Sequence, residues 1–385
     1  MVLPMKIGIR LGVSILCGII AVSAGRILYW YRLERRAPSY ASTIPRTKWA
    51  RALDHLYGTW TPPIVGHDGT LYVANGGAVH SLDPSSAEKW VYRVDSADMI
   101  LSGTLAEDEA GNLYFATVKS VYSLSSSGLK RWQADCPSAA LAKNGWGGPF
   151  DANAVYATCE THFSALSKSD GRETWRLAQF QTQAPPPTRP VPPLMLKSGR
   201  IVFSRDQRII ATDRDGNTLW TYPADNRDAA YFLGAGQDET IYVRKSFASE
   251  LAALDENGNV KWTFSGGPEI GFNEPPVTAA DGTVFITGVS GPIYAIAPDG
   301  TLKWKFPLPA TTMAEGYAVP VLGGDGTIYQ LLEDRVIALS PQGKMIWQLQ
   351  ITDEPHHRGF LVLASDGTLY TLMDDSMVYA LQTRN

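Results

Sequence analysis

A four-residue motif returns eight times along the chain and restricts what it can fold into. The copies are Gly69-Thr-Leu-Tyr72, Gly111-Asn-Leu-Tyr114, Asn153-Ala-Val-Tyr156, Gly199-Arg-Ile-Val202, Glu239-Thr-Ile-Tyr242, Gly282-Thr-Val-Phe285, Gly326-Thr-Ile-Tyr329 and Gly367-Thr-Leu-Tyr370, starting 40 to 46 residues apart. Trp90, Trp132, Trp175, Trp220, Trp262, Trp304 and Trp347 keep the same time, 42 to 45 residues apart. Between the two markers lies an alternating stretch such as Tyr122-Ser-Leu124 or Tyr294-Ala-Ile296. A unit of this length cannot bury its own apolar face, so neighbouring units must stack on one another.

Each unit reads as four antiparallel strands, here lettered A to D. In the sixth, Pro276-Val-Thr-Ala279 is strand A, Thr283-Val-Phe-Ile-Thr287 strand B, Ile293-Tyr-Ala-Ile296 strand C and Leu302-Lys-Trp-Lys-Phe306 strand D. Period-2 alternation and β-branched or aromatic residues support these assignments. Asp281-Gly282 and Asp299-Gly300 suit two-residue hairpin turns, because the second position needs positive φ. Eight such units make an all-β, eight-bladed β-propeller with four-stranded blades. Trp49 stands 41 residues before Trp90, in the Trp position of a unit that lacks its earlier strands, and the chain stops before the Trp strand of its last unit. The first strand is therefore expected to pair with the C-terminal blade and close the ring, hiding two naked sheet edges. A large indole on strand D reads as packing across the seam between blades.

The first 36 residues differ in kind. Lys6 and Arg10 precede an apolar run over 11–25, extended by 27–31 past Arg26. One reading is a signal peptide cleaved before Gly25, after the small residues Val22-Ser-Ala24. The other is an uncleaved anchor with Tyr29, Trp30 and Tyr31 at the interface. A lipoprotein centred on Cys17 is disfavoured by the bulky Leu16 before it. Both main readings put the rest of the chain outside the cytoplasm. The expected organisation is a signal-anchor or signal peptide over 1–36, a tether over 37–45 and the propeller over 46–385. With 34 basic and 38 acidic residues, the formal charge of −4 gives no reason to expect a nucleic-acid partner.

The pattern Ala253-Leu-Asp-Glu-Asn-Gly-Asn-Val-Lys-Trp262, echoed at 165–175, 295–304 and 338–347, resembles the repeat of pyrroloquinoline-quinone-type propellers. The resemblance covers 49–381. It implies the propeller fold, and it is compatible with quinoprotein dehydrogenases or with a non-enzymatic assembly propeller, BamB-like in size. The dehydrogenases hold their quinone under an adjacent cysteine pair beside a calcium ligated by Glu, Asn and Asp. This chain has no Cys-Cys, and Cys136 and Cys159 are 23 apart. Calcium at Asp213-Arg-Asp-Gly-Asn217 or Asp255-Glu-Asn-Gly-Asn259 lacks the later bidentate Glu. No cofactor is expected; quinone and calcium are disfavoured. His356 and His357 lack a third partner for zinc.

The working face is expected where the connections are long. Turns from A to B and from C to D emerge on one face. Connections from D to A and from B to C emerge on the other, where 135–150, 179–193, 244–250 and 352–359 exceed what a turn needs. Trp60, Asn144, Trp146, Phe150, Arg227, Tyr231, Phe272, Asn273, Glu274, Tyr317 and Arg358 are the candidate contacts. They read either as plugs packing the central channel or as an aromatic mouth for a protein segment or glycan. Cys136 and Cys159 both belong to blade 3's connections, and are either bonded, holding the Asn144-to-Phe150 loop beside the mouth, or two separate buried thiols. The expected function is an extracytoplasmic, membrane-tethered binding or assembly scaffold. The alternative is a quinone-dependent or carbohydrate-active enzyme with a divergent site.

Overall fold

In the computed structural model, which describes residues 45–53, 61–101, 105–137, 139–141, 143–144, 151–178, 193–205, 207–223, 230–236, 238–245, 250–266, 275–288, 292–308, 319–353, 359–373 and 377–383, 33 strands form eight sheets. Each sheet is one blade with antiparallel strands in the order A-B-C-D, and one of them carries an added fifth strand. Blade 1, for instance, runs Ile64–Val65, Leu71–Asn75, Ala78–Leu82 and Glu88–Arg93. Strands B and C are buried almost throughout, whereas strand D alternates and leaves one side to solvent. That contrast follows from position, since the middle strands are covered by blades on both faces and the outermost strand is not.

The apolar core lies between blades. Its buried residues fall into eight clusters, one for each seam. Tyr72, Ala74 and Val79 of blade 1 meet Leu113, Phe115 and Tyr122 of blade 2 in one of them. The three registered sequence signals prove to be parts of one seam device. The strand-D indole lies against the aromatic of its own strand B, at 5.8 Å for Tyr72–Trp90 and 5.7 Å for Phe285–Trp304. Its Nε1–H then reaches into the next blade: Trp90 donates to the Ser126 carbonyl, Trp220 to Glu256 and Trp304 to Pro341, each at 2.9 Å. Those carbonyls sit in the C-to-D turn. A Cβ on the turn glycine Gly128 would come within 2.5 Å of the Trp90 ring, and one on Gly343 within 2.5 Å of Trp304.

The turns correct the sequence reading. Most hold three residues, not two, and the blade 3 turn between Ser167 and Arg172 holds four. In the A-to-B turn of blade 1, Gly66 N–H donates to Thr70 and Gly69 N–H to Gly66, enclosing His67-Asp68-Gly69. Gly69 has a φ of 81°, while Asp68 stays in the ordinary negative region. This is a type I turn closed by a left-handed residue, which adds a bulge to the following strand. The C-to-D pairs accordingly skip a residue at the same place, between Ser81 and Leu82, Ala253 and Leu254, and Ala295 and Ile296. Asp supports the turn through its side chain: Asp68 Oδ1 accepts the Thr70 N–H at 2.9 Å.

Ring closure matches the expectation. Strand Arg46–Ala52 pairs antiparallel with Met377–Gln382 of blade 8. Trp49 repeats the device, lying 5.7 Å from Tyr370 and donating to the Pro84 carbonyl of blade 1 at 2.9 Å. Lys48 pairs with Asp366 at 3.8 Å within the blade, and Arg51 reaches Glu88 of blade 1 at 3.6 Å.

A second correction concerns blade 3. Its strand A is Ala140–Leu141, so Lys143–Asn144 follow strand A instead of preceding it, and 145–150 lie outside the described residues. Lys143–Asn144 pairs in parallel with Leu194–Met195, giving blade 4 a fifth strand. Two strand-A residues paired to strand B leave the chain free to cross to the neighbouring blade, which the repeat period alone does not reveal.

Candidate functional site

The two rims of the ring differ. The turn face is built mostly from the three-residue loops above, with the longer A-to-B connection of blade 3 as the main exception. The connection face carries the D-to-A and B-to-C segments, and its described part is densest over blades 1 to 3. There the blade 2 hairpin, Thr117 to Ser120, is tied on both sides. Val118 N–H donates to the Met99 carbonyl and Leu101 N–H to Ala116, both at 2.9 Å, and Cys136 N–H donates to Lys119 at 2.9 Å. Asp98 is the hub: its carboxylate accepts the Thr117 hydroxyl at 2.7 Å, the Lys119 N–H at 3.2 Å and the Tyr122 hydroxyl at 3.4 Å. Burial and the nearby Asp98 charge push the Tyr122 hydroxyl up to about 12, so it remains a donor. Farther along, Glu160 N–H donates to the Pro137 carbonyl at 2.8 Å.

Cys136 and Cys159 are joined, with S–S 2.04 Å and Cα atoms 4.9 Å apart. Both are buried. The bond ties the connection entering blade 3 to the end of its strand B. Of the Asn144-to-Phe150 loop expected beside it, Asn144 pairs with Met195 near the turn face, and 145–150 lie outside the described residues. The resulting surface is a fixed sector bearing two exposed apolar side chains, Met99 and Val118, 37% and 39% exposed. Asp95, Lys119 and Glu160 are exposed around them. Such a sector offers contact area with a few directional polar groups, the chemistry of recognition.

Of the residues expected at the mouth, two have described backbone. Asn144 lies in the extra strand against Met195, on the turn-face side of strand A. Tyr231 lies in Ala230–Ala235, the long strand A of blade 5, opposite Arg244. Trp60, Trp146, Phe150, Arg227, Phe272, Asn273, Glu274, Tyr317, Arg358, His356 and His357 lie outside the described residues. The Asp98 hub went unnoticed in the sequence, where the spacing of Asp98 from Thr117 and Tyr122 carries no motif.

The described residues do not fit the quinone and calcium of the dehydrogenases. The two cysteines bond to each other across blade 3, not as neighbours in a ring. Asp213 spends Oδ1 on the N–H groups of Asp215 and Asn217, and Oδ2 on the Asn217 amide at 2.8 Å; Asp255 does the same in its turn. Among the described residues no group of three or more His, Cys, Asp or Glu is placed to hold a metal ion, and no helix is long and apolar enough to cross a membrane.

A closed ring of eight blades, six of them locked to a neighbour by a Trp-to-turn bond among the described residues, defines a propeller of the quinone-repeat type. The family described as outer membrane protein assembly factor BamB matches residues 116–263 and 248–385, and the chain belongs to it. No curated protein matches the chain. Among solved structures, BamB from Moraxella catarrhalis is similar over 88% of this chain and 100% of that one, with 19% identity and a TM-score of 0.64. The C-terminal WD40 domain of Sif2 covers 89% and 99% at 11% identity, TM-score 0.66. A europium-containing methanol dehydrogenase covers 85% and 84% at 13% identity, TM-score 0.57. At these identities the three structures share the fold.

Proposed function

We infer that the protein is an assembly scaffold, tethered to a membrane on its extracytoplasmic side, that binds a segment of another protein on its connection face. Family membership across blades 2 to 8 carries the reading. The leader supports the location, and the fixed, partly apolar sector around Met99 and Val118 supports the mode of contact. A rigid ring with long connections on one rim suits recognition, because binding then costs little ordering of the scaffold.

The test is affinity purification of the full chain from solubilised membranes, in parallel with addition of quinone and calcium followed by dye reduction with alcohols and sugars. A stoichiometric protein partner, lost with Val118→Asp while the melting temperature holds, is the expected result. Quinone-dependent dye reduction would replace the scaffold reading with an enzymatic one. Retention on glycan resins without a protein partner would make the ligand a glycan.

A further inference from the structure

The direction of the closing strand decides which rim meets the membrane. In blade 8, Arg46 lies opposite Gln382, and Gln382 also lies opposite Thr368, the first residue after the Asp366-Gly367 turn. Arg46 Nε donates to Gln382 Oε1 at 3.0 Å, and the Thr383 hydroxyl donates to the Gly367 carbonyl at 2.6 Å. The far end of the strand, Ala52, lies opposite Met377 near the connection face. The described chain therefore begins, at Pro45, on the turn face at the outer edge of blade 8.

We propose that the turn face is the membrane-proximal surface, apposed to phospholipid headgroups, and that the connection face is presented away from the bilayer. The proposal rests on reading 1–36 as an uncleaved anchor. Arg32, Arg35 and Arg36 follow the apolar run and pair best with headgroup phosphates, and Pro45 is buried against the propeller, so the free tether is 37–44. Eight residues reach at most about 29 Å. Turning the connection face to the bilayer would make the tether climb strand Arg46–Ala52, about 23 Å at the usual rise per residue. It would then have to clear the connection segments before reaching lipid, which exhausts the tether. With the turn face down, the same residues span a short gap. A partner reaching Met99 and Val118 then approaches from the aqueous side.

Two labels in blade 7 separate the faces within one radial sector. Gln342 is exposed in the C-to-D turn, and Asp353 is exposed just beyond the other end of strand Met345–Gln350. The full chain with Cys17→Ser and either Gln342→Cys or Asp353→Cys carries one fluorophore, the native disulfide being left oxidised. It is reconstituted in vesicles of phosphatidylethanolamine and phosphatidylglycerol containing headgroup-spin-labelled lipid. The expected result is quenching several-fold stronger at position 342 than at 353. Equal quenching, or stronger quenching at 353, overturns the proposal and leaves the anchor standing. Protein that fails to float with the vesicles, or that begins at Gly25 when isolated from membranes, overturns the anchor and the proposal together.

Discussion

At the scale of single residues, the turns set the tolerance of the ring. Gly300 combines a φ of +88° with a Cβ position 2.7 Å from Trp262. Gly300→Ala therefore meets both left-handed strain and a clash, and should cost about 2–4 kcal/mol, read as a lower urea midpoint. Ser86 occupies the equivalent place in blade 1 with a φ of 79°. Ser86→Gly relieves strain but loosens the unfolded chain, so a gain of about 1 kcal/mol or less is expected. A loss of stability in that variant would show that the hydroxyl contributes more than the backbone strain costs. Asp108 tests the turn carboxylates. Burial raises its pKa, but the Tyr114 hydroxyl at 2.8 Å and the Asn112 backbone and side-chain donors outweigh burial and hold it below 3.8. A depressed folded pKa means the stabilisation is complete above the unfolded value and is lost as pH falls through the folded one. Asp108→Asn should be less stable at neutral pH by about 1–3 kcal/mol. Its melting temperature should fall less steeply than the parent's on acidification below 3.8; parallel curves would reject the assignment.

At the scale of elements, the disulfide and the connection segments form one unit. Breaking Cys136–Cys159 releases a loop with a separation of 23 residues. Chain entropy puts the loss at about 3 kcal/mol, less whatever structure the unfolded chain retains. Cys136→Ala with Cys159→Ala should lower the urea midpoint accordingly, and the oxidised parent should show no reactive thiol in the propeller under denaturing, non-reducing conditions. Detection of two thiols would remove the bond from this account. The backbone bonds from Val118 to Met99 and from Cys136 to Lys119 run through the same segment. Hydrogen exchange at Val118 and Cys136 should therefore quicken together on reduction, more than at the turn-face amide of Gly300.

At the scale of the molecule, stability is a sum over eight seams with no free end. Strand Arg46–Ala52 contributes to blade 8 by pairing and to blade 1 through Trp49, Arg51 and the Glu88 carboxylate, which also meets His80 at 2.9 Å. Removing residues 1–53 exposes the edge Met377–Gln382 and uncovers one side of blade 1. Such a chain should aggregate or lose most of its cooperative unfolding transition, because a repeat array depends on its interfaces. A monomeric truncation melting with the parent would contradict closure as the source of stability.

The blade count, the strand order and the closing role of Trp49 were legible in the sequence, because each is a local pattern repeated at one period. A glycine, an aromatic and an indole at near-constant spacing mark the seam device, and its recurrence at one period determines a ring. The turn length was misread because Asp-Gly serves both two- and three-residue loops; the choice lies in hydrogen bonds such as Gly69 to Gly66 and in the bulge they force. Asn144 was placed on the wrong rim because strand A of blade 3 is two residues long and too short to show a period. The Asp98 hub and the direction in which the chain leaves blade 8 were out of reach of any pattern. They depend on residues far apart in sequence meeting across a seam, and only the closed tertiary structure brings those residues together.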